Sequence, residues 1–198
     1  MAKVKLTKNE LKKEKDSLKR FQRYLPTLML KKQQLQMVIR QVEAKVREVE
    51  RKRKDLHEKL ERWIAVFGED VGMSDLVKVK HIDRETGNIA GVDIPVFQNL
   101  EFEENSYDFF EKPLWVDRGI EAVRQIASLD AEIEVLKRQI ELLGDELRIT
   151  TQRVNLFEKV KIPETRENIR KIQIYLGDQQ TAAVVRGKMA KNKIEKVK

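Results

Sequence analysis

Apolar residues in the first third of the chain return every seven positions. One row reads Phe21, Leu28, Leu35, Val42, Val49, Leu56 and Trp63, and its companion reads Leu11, Leu18, Leu25, Lys32, Ile39, Val46, Arg53, Leu60 and Phe67. This is the a/d pattern of a left-handed coiled coil. It predicts a helix running from the capping box Thr7-Lys8-Asn9-Glu10 to Phe67, about 90 Å long at 1.5 Å per residue. Pro26 is expected to kink or locally open that helix. Lys32 and Arg53 occupy seam positions. Either they loosen the seam for contact with other chains, or their stems lie along it while the charges reach water. Gly68 and Gly72 end the pattern, and Trp63 is expected in the core.

From about Leu76 to Phe110 the period changes. Val77, Val79 and His81 alternate with Lys78, Lys80 and Ile82, as in a strand. Asp83–Asn88 is a turn cluster and Ile89–Phe97 offers a second strand, so a β-hairpin is expected. A lone hairpin is marginally stable and has to lie against the coiled coil or a partner. Leu100–Trp115 reads as loop or short helix; Pro113 opens the next helix, and Trp115 packs the insert onto the coil or serves a partner surface. A second heptad then starts at Val116. Its rows are Ile126, Ile133, Ile140, Leu147 and Val154, and Leu129, Leu136, Leu143, Thr150 and Phe157. After Pro163 the rows continue shifted by one residue, through Ile162, Ile169 and Leu176 with Ile172 between, a skip that alters supercoil winding locally. The expected fold is mainly α: a long antiparallel two-helix coiled-coil hairpin. Its parts are a helix over 1–67, a β-hairpin and loop insert over 68–115 at the end away from the termini, a helix over 116–177, and a basic tail over 178–198. A parallel dimer competes, but folding back satisfies both seams within one chain.

Composition supports long helices over a compact globule. Charged residues make up 37% of the chain, with 8 glycines and 4 prolines, and the mean hydropathy is -0.58. The net charge of +8 permits an acidic partner, nucleic acid or protein, although the cations are interleaved with Glu as on a solvated helix. Cysteine is absent, which removes disulfide and thiolate chemistry. No run approaches a membrane span and the first residues lack a signal-peptide core, so a soluble, cytoplasmic protein is expected. No Gly-x-x-x-x-Gly-Lys-Ser/Thr run is present; Gly68 to Gly72 lacks the lysine. His57 and His81 lack the spacing of metal ligands, and Glu103-Glu104 reads as surface charge. No catalytic residue, metal or cofactor is expected.

One stretch carries more than periodicity. In Thr150–Pro163, the residues Arg153, Val154, Asn155, Glu158, Ile162 and Pro163 resemble the Arg-Val-Asn-x-Leu-Glu-x-x-x-Ile-Pro signature of the D subunit of V-type and A-type rotary ATPases. Phe157 stands where that family has Leu. Leu6-Thr7 with Leu11, and Leu30-Lys31-Lys32 with Leu35, are similar to two weaker family motifs near the start. The tail departs from the family: Gly177–Gly187 replaces a Glu/Arg-rich run with an aromatic pair, which points to a divergent bacterial branch. The resemblance implies a non-catalytic central-stalk rotor shaft. Such a shaft stands in the hexamer of A and B subunits, binds the small F subunit beside the insert, and rests on the funnel-shaped subunit above the membrane ring. It couples ATP hydrolysis or synthesis to proton or sodium transport. Implied shaft contacts are Arg153, Asn155, Glu158 and Pro163. The seam is assigned to Leu28, Leu35, Val42, Val49, Leu56, Ile126, Ile133, Ile140, Leu147 and Val154. The end cations Lys3, Lys5, Lys8, Lys12, Lys13, Arg186, Lys188, Lys191, Lys193, Lys196 and Lys198 are expected at one tip. There they serve solubility, or a bearing inside a ring of acidic loops. A nucleic-acid role lacks stacking aromatics beyond Phe21, Tyr24 and Tyr175. The alternative is a structural coiled-coil adaptor without a motor role.

Overall fold

The computed structural model of this chain describes residues 4–61, 76–103, 113 and 115–197. The expected helix end between Phe67 and Gly72, and Trp63, Lys3, Glu104 and Lys198, lie outside the described residues. The elements in order are α1 (Lys8–Glu61), β1 (Val79–Ile89), β2 (Val92–Phe102) and α2 (Val116–Asn155). A π-helical turn (Leu156–Lys161) and α3 (Ile162–Val197) follow. The protein is mainly α with one antiparallel hairpin, as the heptads and the short period-2 stretch predicted. The chain forms two compact units, Gln33–Arg148, and Met1–Lys32 with Ile149–Lys198. Both chain ends belong to one unit and the hairpin to the other.

At the start of α1 the Thr7 hydroxyl accepts from the Glu10 N–H at 3.2 Å, half of the capping box; the other half is absent, because the Thr7 N–H donates to the Lys5 carbonyl and Glu10 pairs with Lys13. Helix α1 continues through Pro26, so the proline does not end it. A proline removes one donor and costs a helix about 3 kcal/mol, which the burial of many seam side chains outweighs.

In the unit Gln33–Arg148, α1 and α2 run antiparallel around a core of Leu35, Val42, Val46, Val49, Ile133, Leu136 and Leu143. Ile39, Leu129, Ile140 and Leu147 are half-buried against it; Leu56 and Ile126 are also half-buried. Three ion pairs flank this seam: Lys45–Glu132 at 3.3 Å, Glu50–Lys137 at 3.6 Å and Arg53–Asp130 at 2.7 Å. Arg53 therefore does not loosen the seam; its stem borders it and its head is outside, paired with Asp130.

The hairpin turns elsewhere than expected. Asp83–Asn88 lies within β1, and the two-residue loop is Ala90-Gly91, with φ of 54° and 79°. Two positive φ angles make the tight reversal whose twist suits a hairpin. The Asn88 side chain closes it, accepting from the Gly91 N–H at 3.1 Å and donating to Asp93 at 2.6 Å. Ile94 and Leu100 are the buried members of β2, and Ile94 joins the core of the unit. The Phe102 ring meets Arg124 at 5.4 Å, and the Pro95 carbonyl accepts from Gln139 at 2.5 Å. Those anchors lie about 23 Å apart along the strand and about 22 Å apart along the helix. The hairpin therefore lies lengthwise on α2, antiparallel to it, and does not merely join the helices. A second stripe of α2, Ala131, Val135 and Gln139, is buried for this reason. At the hairpin base Leu76, Val116 and Ile120 form a small core that holds half-buried Trp115, so Trp115 packs the insert against the first turns of α2, and Pro113 precedes the first of them.

In the other unit, Asn168 donates to Glu14 at 3.2 Å and Phe157 stacks on Phe21, again an antiparallel pair. Leu28 and Lys32 are half-buried there. The expected end near Gly177 is overturned: α3 continues to Val197. With Glu14 opposite Asn168, Lys8 comes opposite about residue 174, so roughly the last 20 residues of α3, about 30 Å, extend past the start of α1. The tail cations thus run beyond the N-terminal ones and do not face them.

Gly91 has no atom within 4 Å of an added Cβ. Gly91→Ala should therefore cost about 1 kcal/mol through backbone strain alone, read as a lower urea midpoint at an unchanged slope.

Candidate partner-binding surface around the π-helical turn

The Thr150–Pro163 stretch contains the widened turn Leu156–Lys161, and the reason begins with Pro163. In a regular helix its nitrogen would serve the Lys159 carbonyl, but it has no hydrogen to give and its ring clashes there. The chain widens one turn ahead of it: the Ile162 N–H donates to the Phe157 carbonyl, five residues back. A π turn holds one residue more than an α turn. It therefore absorbs the one-residue skip of the apolar rows. Val154 is 3% exposed before the turn, and Ile162 and Ile172 are 8% and 0% exposed after it. No residue of the turn itself is buried; Phe157 is half-buried, its ring 5.3 Å from that of Phe21 with planes at 27°.

The signature residues separate into two sets. Val154 and Ile162 face the seam, whereas Arg153, Asn155, Glu158 and Pro163 are all exposed. Leu156 and Val160, one helical repeat apart, are also exposed, with Arg153 and Lys159 close in sequence. The turn thus presents apolar and basic side chains to solvent together. On its inner side the Thr165 hydroxyl donates to the Lys161 carbonyl at 2.7 Å. Thr150 is 1% exposed and its hydroxyl has no hydrogen-bond partner. The heptad placed Thr150 in the seam but gave no sign of that unpaired hydroxyl. The skip and the proline were the signals for the π turn.

Nothing in this geometry assembles reactive groups. Among the described residues no three His, Cys, Asp or Glu side chains are grouped to hold a metal. His57 and His81 are exposed and stand only beside Glu61 and Asp83. Among the described residues no helix is long and apolar enough to cross a membrane.

The model of the family described as the D subunit of ATP synthase matches residues 10–192. The chain belongs to the ATP synthase D-subunit family. It is 52% identical over 196 residues to the D subunit of the V-type ATP synthase of Borreliella burgdorferi, covering 99% of this chain and 97% of that one. It is 37% identical to that of Chlamydia abortus, covering 98% and 95%, and 30% identical to that of Chlamydia muridarum, covering 98% of both. The match to the D-subunit family spans α1, the hairpin, the π turn and most of α3, so it extends over the departing tail as well as the signature.

Removing the orphan hydroxyl tests the seam. Thr150→Val keeps the shape and should stabilise the protein by about 1 kcal/mol, measured as a rise in Tm. A fall in Tm would show that the hydroxyl has a partner.

Proposed function

We infer that this chain is the central-stalk shaft of a V/A-type ATPase or ATP synthase. It couples the A/B hexamer to proton or sodium transport through the membrane ring and performs no bond chemistry itself. The supporting observation is the full-length family match on a chain whose apolar residues go into helix–helix packing. The carboxylates are distributed over helix surfaces, many in i,i+3 or i,i+4 pairs with lysines and arginines.

The mechanics follow from packing. Interlocked side chains make one helix drag the other when twisted. The two helices differ in sequence, so the pair offers different contacts in different directions. A ring of chemically identical A/B pairs around it would meet a different face at each pair, and its angle would bias which pair is open or closed. The energy passed on is bounded by the difference in contact free energy between those states. The end of α3 packs on no other element among the described residues of its unit, and Val184, Val185, Met189 and Ile194 on it are exposed among lysines. An isolated helix of about 20 residues is only marginally stable in water. Insertion into a collar of apolar and acidic groups would supply its missing contacts. The exposed apolar and basic side chains at the π turn suit a neighbouring subunit in the same way. The hairpin side is assigned to the F subunit, and the funnel-shaped subunit supports the shaft above the membrane ring.

Mixing the purified chain with separately made A, B and F subunits should yield a complex containing F and the A/B hexamer. Recovery of the chain alone would leave a structural adaptor as the better account. Deleting residues 178–197 should leave Tm within about 2 °C, because those residues bury little. The same deletion should weaken binding to the A/B hexamer by about tenfold or more.

A further inference from the structure

In the unit Met1–Lys32 with Ile149–Lys198, both helices lose regular backbone bonding at one level. Pro26, inside α1, has no N–H to give to the Gln22 carbonyl, and Pro163 has none for the Lys159 carbonyl. The Ile162 N–H reaches back five residues, to the Phe157 carbonyl. Because the Phe157 ring stacks on that of Phe21, Pro26 comes opposite about residue 152 of the antiparallel partner. Both prolines, the π turn and Thr150 therefore fall within about 20 Å along the helix pair.

Packing is weaker there too. In the unit Gln33–Arg148, α1 supplies Leu35, Val42, Val46 and Val49 to a buried core. Between Lys8 and Lys32 no residue of α1 is fully buried; Leu18, Phe21, Leu25 and Leu28 are all half-buried. The facing chain buries Val154 and Ile162 on either side of the π turn but nothing within it. At Thr150 the seam holds a hydroxyl without a hydrogen-bond partner. Beyond the turn, Thr165 and Ile172 are buried again. Few buried apolar contacts and interrupted backbone bonding are the physical marks of a segment that opens at low cost. Sliding is a different motion, and it is opposed: a shift by one residue would break both the Phe21–Phe157 stack and the bond from Asn168 to Glu14.

We propose that residues 20–30 and 150–163 form a compliant joint, where the helix pair bends and opens locally without changing register. The two prolines set its place, one on each helix, and the wide turn between buried Val154 and Ile162 gives it slack. Under the shaft reading above, such a joint confines yielding under load to one level of the rod. Its test uses the chain alone, so it can fail while that reading stands.

The measurement is amide hydrogen exchange of the full chain, followed by mass spectrometry. Amides of residues 156–162 should exchange about tenfold or more faster than those of residues 165–173, although the latter lie nearer the chain end. Protection that declines steadily from residue 150 toward residue 197, as simple fraying gives, would overturn the joint. Pro26→Ala restores an N–H to α1. It should slow exchange at residues 156–162, on the facing chain, by about threefold or more, because the two interruptions open together. Slowing confined to α1, or spread evenly over the whole chain as general stabilisation would give, would overturn the proposal.

Discussion

A long helix with one apolar stripe is unstable in water until that stripe is covered, and here each helix covers the other. Everything else follows from keeping that pairing in register. A coiled-coil seam tolerates little sliding, because a displaced side chain must leave its hole on the facing helix. In the unit Gln33–Arg148 the seam is held three ways. The buried aliphatic residues supply the energy. The ion pairs of Lys45, Glu50 and Arg53 add little stability at their exposed positions, but they disfavour neighbouring registers. The hairpin adds a third body on α2, bound at Arg124 by a ring, at Gln139 by a hydrogen bond and just past that bond by Ile94. A two-stranded hairpin would not persist alone, so the burial of Ile94 and Leu100 stabilises both partners.

The same requirement explains the π turn. The rows before and after Pro163 differ by one residue, and a straight α-helix would carry one of them away from its partner. Widening a single turn corrects the phase locally. The seam is interrupted for that turn, and Leu156 and Val160 are left outside it. A local defect that preserves long-range register therefore also creates an outward surface of mixed apolar and basic character. The family signature falls on this feature, which gives its Ile-Pro pair a mechanical meaning: Ile162 resumes the seam and Pro163 fixes where the wide turn occurs.

Much of this was legible in the sequence because helix pairing is a periodic problem. Leu35, Val42, Val49, Ile133, Leu143 and Val154 could be assigned to a buried face from spacing alone, and so could the skip. What was not legible concerns surfaces that a two-helix pattern does not describe. The stripe Ala131, Val135 and Gln139 is off the seam, and its burial depends on a hairpin that is remote in sequence. The turn at Ala90-Gly91 was obscured by the more polar Asp83–Asn88 cluster; strand pairing overrode composition, and Asn88 acts from inside β1 to cap the loop. The end of α3 was misplaced because Gly177 and the loss of apolar rows suggested a stop. The helix continues without a seam on Ala, Lys, Arg and Met, whose intrinsic helix propensity is high.

That continuation links the fold to the function inferred for it. A helix segment that packs on no other element among the described residues of its unit gains little from packing, so its free energy is close to balance and would respond to a partner. Its charges are mainly basic and its exposed aliphatic residues lie among them, which rules against a purely electrostatic contact and against a purely apolar one. A bearing that must turn needs such a surface: many weak contacts of similar strength at every angle. A few strong ones would trap a single orientation, because a bound state deeper by about 1.4 kcal/mol is favoured tenfold. The locked register of the paired helices has the opposite requirement, since slippage there would dissipate the twist. On the shaft reading proposed above, specific buried contacts in the seam and diffuse exposed ones at the helix end are two answers to one mechanical demand.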